Sequence, residues 1–156
     1  MTFKAVVPPR IHVFDDDIDL TSVIEELLAI NNIIGEIFSL QDLLIKSLDF
    51  KPDIVVIDWN PTDATKLTGM ELTGLIRQKS PDAYIIAITG ANVSDDTVIE
   101  FYDEMEGYAF LKKDPYEKFK KRFIIRLQKA IELFKRKQEL AYSWASFNQT
   151  IDEARQ

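Results

Sequence analysis

Pro52-Asp53-Ile54-Val55-Val56-Ile57-Asp58-Trp59-Asn60-Pro61 is the stretch on which the reading of this chain turns. Four consecutive β-branched apolar residues, Ile54 to Ile57, run straight into a carboxylate and are bounded on both sides by turn-forming residues. Such a run is too short for a helix and suits a strand buried on both faces, as strands of parallel sheets are. Asp58 then stands at the C-terminal end of that strand, the edge where open α/β sheets place their ligands. An aspartate alone could equally cap the next turn. Its meaning depends on what the other strands bring to the same edge.

Toward the N-terminus, Arg10 to Phe14 is a short apolar strand followed at once by Asp15-Asp16-Asp17. From Ile18 the pattern turns helical, with Leu20, Val23, Ile24, Leu27 and Leu28 at i, i+3, i+4 spacing, and Asn31-Asn32 ends it. Ile33 to Leu40 offers a second strand and Gln41 to Leu48 a short helix. Past Asp58, an irregular loop from Trp59 to Thr68 leads into a helix over Gly69 to Lys79, stopped by Ser80-Pro81. Tyr84 to Ile88 is a fully apolar strand ending in Thr89-Gly90. Ser94 suits the N-cap of a helix through about Met105. Gly107 to Leu111 is a fifth strand, followed by Lys112-Lys113, and a long helix starts at Tyr116. Five strands alternating with five helices predict an α/β fold, a parallel sheet with helices on both faces and right-handed crossovers.

The 156 residues predict one main domain over 10–135, with an N-terminal tail over 1–9 and a helical extension over 136–156. With no cysteine there is neither a disulfide framework nor a thiolate metal site. No apolar stretch approaches the ~20 residues that span a bilayer, and the first residues are too weakly apolar for a signal peptide. A soluble cytoplasmic protein without membrane contact is expected. The net charge of -7 is unevenly spread: residues 112–137 hold eleven Lys/Arg against three Asp/Glu, leaving eight against 23 elsewhere. That acidic remainder would repel phosphate backbones, so direct nucleic-acid binding is not expected.

The strand ends carry Asp15-Asp16-Asp17, Asp58, Thr89 and Lys112-Lys113, all on one edge of a parallel sheet. Carboxylates crowded together repel, and burying them unpartnered is costly. A hard divalent cation resolves this, and Mg²⁺ commonly takes one or two carboxylates together with phosphate oxygens. A lysine and a hydroxyl beside it are suited to the remaining oxygens of a phosphoryl group.

The order Phe14-Asp15-Asp16, Asp58, Thr89, Lys113 resembles the receiver domain of two-component response regulators, and Asp58-Trp59-Asn60 is similar to the single-domain chemotaxis regulators of that family. The resemblance covers about residues 10–135. It implies a flavodoxin-like sheet of order 2-1-3-4-5 and a phosphorylation-dependent switch, rather than an enzyme acting on a separate substrate. Carried over residue by residue, Asp58 is the phosphoacceptor, attacking a phosphohistidine of a sensor histidine kinase or phosphotransfer protein. Asp16, Asp58 and the backbone carbonyl of Asn60 ligate Mg²⁺, with Asp15 acting mostly through water. Lys113 pairs with the phosphoryl oxygens, Thr89 swings toward them, and Phe110 is the aromatic switch residue. Lys113 is preferred to Lys112 because Phe110-Leu-X-Lys-Asp is similar to a variant of the family. Because Thr89 and Lys113 contact the new oxygens only after phosphorylation, they supply the differential interaction a two-state switch needs.

The chain departs from the family pattern in three places. The loop after Asp58 is longer than usual, with Pro61 one residue early. The lysine is followed by Asp114 and only then by Pro115, leaving open whether the Lys113–Asp114 or the Asp114–Pro115 bond is cis. Gly90 and Ala91 are both small, which predicts easy access for water and a short-lived acyl phosphate. Among the other polar residues, Asp17 is expected to cap the first helix, His12 to be packed inside its strand, Trp59 to be partly exposed in its loop, and Lys112 to be solvated.

Two other functions fit parts of the sequence. Asp17-Ile-Asp-Leu-Thr21 is similar to the nucleophile motif of haloacid-dehalogenase-like phosphatases, but there it would directly follow a strand, and Asp58 would have no role. A receiver-like module that binds partners without phosphorylation would not need the complete Asp/Thr/Lys set.

Within the last helix, Phe119, Phe123, Leu127, Ala130, Ile131 and Phe134 form one apolar stripe and Leu140, Trp144, Phe147 and Ile151 a second, rotated one. Either a single helix carries two faces or the chain bends near 135–139. Residues after 135 are too few for a helix-turn-helix domain. Output is therefore expected through a downstream protein partner, or through self-association by the face of the fourth helix, fifth strand and fifth helix; the second stripe is expected to fold back on the domain, to self-associate or to present a partner-binding helix.

Overall fold

A computed structural model describes residues 7–62 and 66–155. Most of the expected tail over 1–9, the middle of the loop after Asp58 and Gln156 lie outside the described residues. The strands are β1 (Ile11–Phe14), β2 (Glu36–Phe38), β3 (Ile54–Asp58), β4 (Tyr84–Thr89) and β5 (Ala109–Lys112). All are parallel, in the order β2-β1-β3-β4-β5. The helices are α1 (Ile18–Ile30), α2 (Gln41–Ser47), α3 (Gly69–Lys79), α4 (Asp95–Asp103) and α5 (Tyr116–Arg155). This is the flavodoxin-like sheet implied by the sequence. No helix among the described residues is long and apolar enough to cross a membrane.

Successive side chains of a strand point to opposite faces, and the buried residues divide accordingly. On one face Val13, Val56, Ile86 and Ile88 pack against Leu20, Ile24 and Leu28 of α1 and against Phe119, Phe123 and Leu127 of α5. On the other, Phe14, Val55, Ile57, Ile85 and Ala87 pack against Leu44 of α2, Leu72 and Ile76 of α3 and Phe101 of α4. Every residue of β3 is buried, which explains its unbroken β-branched run. The register pairs Asp58 with Ile88 and Thr89 with Lys112, so the functional strand ends finish nearly level.

Two expectations are corrected. The second strand is three residues long, not eight, because Ile33 belongs to the helix stop, Leu40 is already the N-cap of α2, and Ile34, Gly35 and Ser39 lie in the connections between them. Asn32, at φ 55°, donates to Ala29 O, and Ile33 donates to Leu28 O, the paired bonds of a left-handed C-cap that uses Asn in place of Gly. Trp59 is buried, at 5% exposure, not partly exposed. Its ring lies against Phe110 and Phe101, with centroids 5.0 and 5.6 Å away. Of the two forms left open for the C-terminal segment, the single helix is the one observed: α5 runs unbroken for 40 residues.

Candidate functional site

The acidic edge is built on backbone positions that the sheet fixes. Asp15 N donates to Phe38 O, Trp59 N to Ile88 O and Lys113 N to Thr89 O, so the residues just past β1, β3 and β5 are each tied to a neighbouring strand. Asp15, Asp58 and Thr89 are 0%, 2% and 1% exposed, whereas Asp16 is half-buried. One carboxylate oxygen from each of Asp15, Asp16 and Asp58 lies within 4.8 Å of the others. Lys113 Nζ stands between two of them, 2.7 Å from Asp15 Oδ2 and 3.2 Å from Asp58 Oδ1. An open cleft of about 640 Å³ reaches this group and is lined by Asp16, Asp58, Asn60, Thr62, Gly90, Ala91 and Lys113 among others.

The electrostatics follow from crowding and burial. Burial, and then the negative Asp15 beside it, pushes the Asp58 carboxyl up to about 7 despite the Lys113 ammonium. Burial raises Asp15 as well, against its bonds from Lys113 and from Asp17 N. Burial opposes ionisation of Asp16 too, but hydrogen bonds to Asp58 and from Thr62 win and hold it below the usual carboxylate range. For Lys113 burial opposes the charge, but the Asp15 and Asp58 carboxylates prevail and raise its pKa. One ammonium against three carboxylates leaves the cluster short of positive charge.

The structure brings Asp15, Asp16, Asp58, Asn60, Thr89 and Lys113 together, while Phe110 lies in the aromatic packing behind Trp59. Thr89 Oγ1 accepts from Asn60 Nδ2 at 3.1 Å and from Ala91 N at 3.2 Å; its hydroxyl is thus held by the loops around the cleft. Asn60 N points to Asp58 Oδ1 at 3.3 Å. Phe110 is half-buried, set edge-on against Trp59 and Phe101. The cis peptide bond is Asp114–Pro115. Asp17 caps α1, accepting from Asp19 N and Leu20 N. His12 is buried and bonded through Nδ1 to Ser47 Oγ at 2.9 Å, its pKa lowered by burial. Lys112 is exposed.

Two contributors went unnoticed in the sequence. Thr62 donates to Asp16 Oδ2 through both its backbone N, at 2.9 Å, and its hydroxyl, at 2.8 Å. A hydroxyl four residues after the strand-end aspartate was the only signal. Gln41 is buried and clasps Leu67, donating from Nε2 to its O at 3.0 Å and accepting its N–H on Oε1 at 2.8 Å. That clasp fixes the far end of the long loop, and nothing local in the sequence announces it.

No protein-family model matches this sequence, and no curated protein matches it either. Its likeness to solved structures is extensive. The beryllofluoride-activated NtrC4 receiver domain, determined as a dimer, is 25% identical, with a TM-score of 0.68 over 80% of this chain and 98% of that one. This chain has the fold of a response regulator receiver domain. A CheY-like receiver domain protein from Methanospirillum hungatei shares it at 15% identity and a TM-score of 0.70, over 84% of this chain and 99% of that one. So does NtrX from Brucella abortus, at 20% identity and a TM-score of 0.71 over 86% of this chain; the match spans 29% of NtrX. In the receiver fold the acidic edge lies at the C-terminal ends of β1 and β3, where the strand order reverses.

Proposed function

We propose that this chain is a phosphorylation-dependent signalling switch of a two-component system, with Asp58 as phosphoacceptor. The observation that carries the reading is the convergence of the Asp15, Asp16 and Asp58 oxygens within 4.8 Å, with Lys113 against them and a cleft open to solvent. The donor set suits Mg²⁺: it is all oxygen and overcharged, and it is too open for a closed protein cage. Asp16, Asp58 and the Asn60 carbonyl would hold the ion, with Asp15 acting through water. When bound, Mg²⁺ supplies positive charge that screens Asp58 and the incoming phosphoryl oxygens.

The residues perform the rest. An Asp58 oxygen attacks the phosphorus of a phosphohistidine on a sensor histidine kinase or phosphotransfer protein; the new P–O bond forms as the P–N bond breaks, and the imidazole leaves with a proton. Lys113 Nζ, already beside Asp58, pairs with a phosphoryl oxygen. Thr89 trades its bonds to Asn60 and Ala91 for one to another oxygen, and Phe110 follows into the space behind it. Phosphorylation adds about -1.5 to -2 charges, so these cations decide whether the product is tolerated. Output passes to a downstream protein through the face of α4, β5 and α5, in the cytoplasm. Hydrolysis of the acyl phosphate by water closes the cycle.

The test is to incubate the protein with acetyl phosphate and Mg²⁺ and weigh it intact. Wild type gains the mass of one phosphoryl group, and Asp58→Asn gains none. An unmodified wild type would favour a phosphorylation-independent binding module, and an adduct that survives Asp58→Asn would place the chemistry on another residue.

A further inference from the structure

Beyond about residue 138, α5 leaves the body of the domain and its side chains turn to solvent. Leu140, Trp144 and Phe147 are 61%, 58% and 55% exposed, a contiguous apolar stripe of a kind rarely left uncovered. The stripe is more regular than a patch. Lys137, Leu140, Trp144, Phe147, Ile151 and Ala154 follow one another at steps of three and four residues, the alternation of the a and d positions of a coiled coil. Because α5 is continuous through Arg155, the stripe cannot fold back onto its own domain, and the body's sheet face is already filled by Phe119, Phe123 and Leu127.

We propose that the stripe is covered by the same segment of a second copy, running antiparallel. Two features of the chain select this occupant. In an antiparallel register centred between Ala145 and Ser146, Leu140 meets Ile151 of the other copy, Trp144 meets Phe147, and Lys137 meets Ala154, which is small enough to leave the Lys137 ammonium where it stands, 3.9 Å from Asp82 Oδ1 of its own body. In a parallel pair Lys137 would instead face itself across the seam, beside a second Lys135-Arg136 cluster, and like charges there repel. Charge along the segment agrees. Lys135, Arg136 and Lys137 outweigh Glu139 at one end, and Asp152 and Glu153 outweigh Arg155 at the other, so antiparallel pairing brings ends of opposite net charge together. The central flanks of the seam (Ala141, Ser143, Asn148 and Thr150) are uncharged, and only Arg136 and Arg155 flank it at its two ends.

The length also fits. The segment from Lys137 to Ala154 spans about 27 Å at the helical rise. In this register the tip of one copy ends where the body of the other begins. The result is a symmetric dimer with two receiver bodies at opposite ends of a short two-helix rod and both acidic clefts free. This proposal stands apart from the phosphoryl chemistry.

The experiment uses the full chain. Sedimentation or light scattering at tens of micromolar should give twice the 18.0 kDa chain mass, and Trp144→Glu with Phe147→Glu should give a monomer of unchanged helix content. Because the chain has no cysteine, single cysteines report orientation cleanly. A mixture of Leu140→Cys and Ile151→Cys chains should form a mixed disulfide, and Leu140→Cys alone should not cross-link. A monomeric wild type, a dimer that survives the double glutamate change, or efficient cross-linking of Leu140→Cys to itself would each overturn the proposal.

Discussion

Asp58 carries a strain that its neighbours impose and that a cation or a proton relieves. With its carboxyl near pH 7, the native protein binds a proton that the unfolded chain, titrating in the ordinary carboxylate range, gives up between about pH 4 and 7. Stability of the metal-free protein therefore falls as pH rises through that window. We expect a lower Tm at pH 8 than at pH 5 in EDTA. Asp58→Asn should raise the Tm at pH 8 and flatten the slope, while Asp15, also raised, keeps part of it; identical slopes in both proteins would show that the buried Asp58 charge is not the cause. Mg²⁺ should restore Tm at pH 8 in wild type by mass action, and Asp16→Asn should blunt that response. The small residues beside the cleft lead to a second expectation. Gly90 and Ala91 are exposed, and a Cβ on Gly90 would meet only Lys113 Cδ at 3.7 Å. Ala91→Tyr should partly screen Asp58 from water and lengthen the acyl-phosphate lifetime several-fold in a mass time course after donor removal. A lifetime unchanged by the ring would mean that water arrives by another route.

At the scale of elements, what the sequence made legible is what local chemistry enforces. The bounds of α3 were readable from its helical pattern and from Ser80-Pro81, which stops it; its start is further held by a capping box in which the Thr68 and Glu71 side chains each bond the other's backbone N–H. Ser94 and Asp17 announced α4 and α1 in the same way. The strand-end aspartates were legible because β1 and β3 are too apolar to be anything but buried strands. The misread elements depend on distant partners. Ile33 and Ile34 look like strand until Asn32 takes a left-handed conformation; Trp59 looks like a loop residue until Gly69 and two phenylalanines far along the chain close over it. That closure is tight. A Cβ at Gly69 would come within 2.4 Å of the Trp59 ring and 2.7 Å of the Trp59 carbonyl oxygen, so Gly69→Ala must displace a buried indole and the backbone beside it. It should cost about 1–3 kcal/mol, read as a lower denaturant midpoint with unchanged slope. An unaffected midpoint would show that the indole moves freely.

The whole molecule separates a body with the receiver fold from a projecting helix. The last fully buried side chain of α5 is Ala130, so a chain ending at Lys137 should keep the sheet, the acidic cluster and the phosphoryl adduct, with a Tm within a few degrees of the full chain. Loss of the adduct on truncation would mean that the rod supports the site in a way its exposed side chains do not suggest. The uneven composition, a basic run in α5 and an acidic remainder, becomes in three dimensions a positive helix laid along one side of a negative body. Inside that body, Trp59 shares a peptide bond with Asp58, and its ring fills the space against Phe110 of β5 and Phe101 of α4. Phe110 therefore cannot rotate without leaving the indole a bare side, and Asp58 cannot shift without tugging the indole. The cleft and the α4–β5 surface thus share one set of packed aromatic rings, and on the function proposed above a charge added at Asp58 would reach that surface as a change of shape.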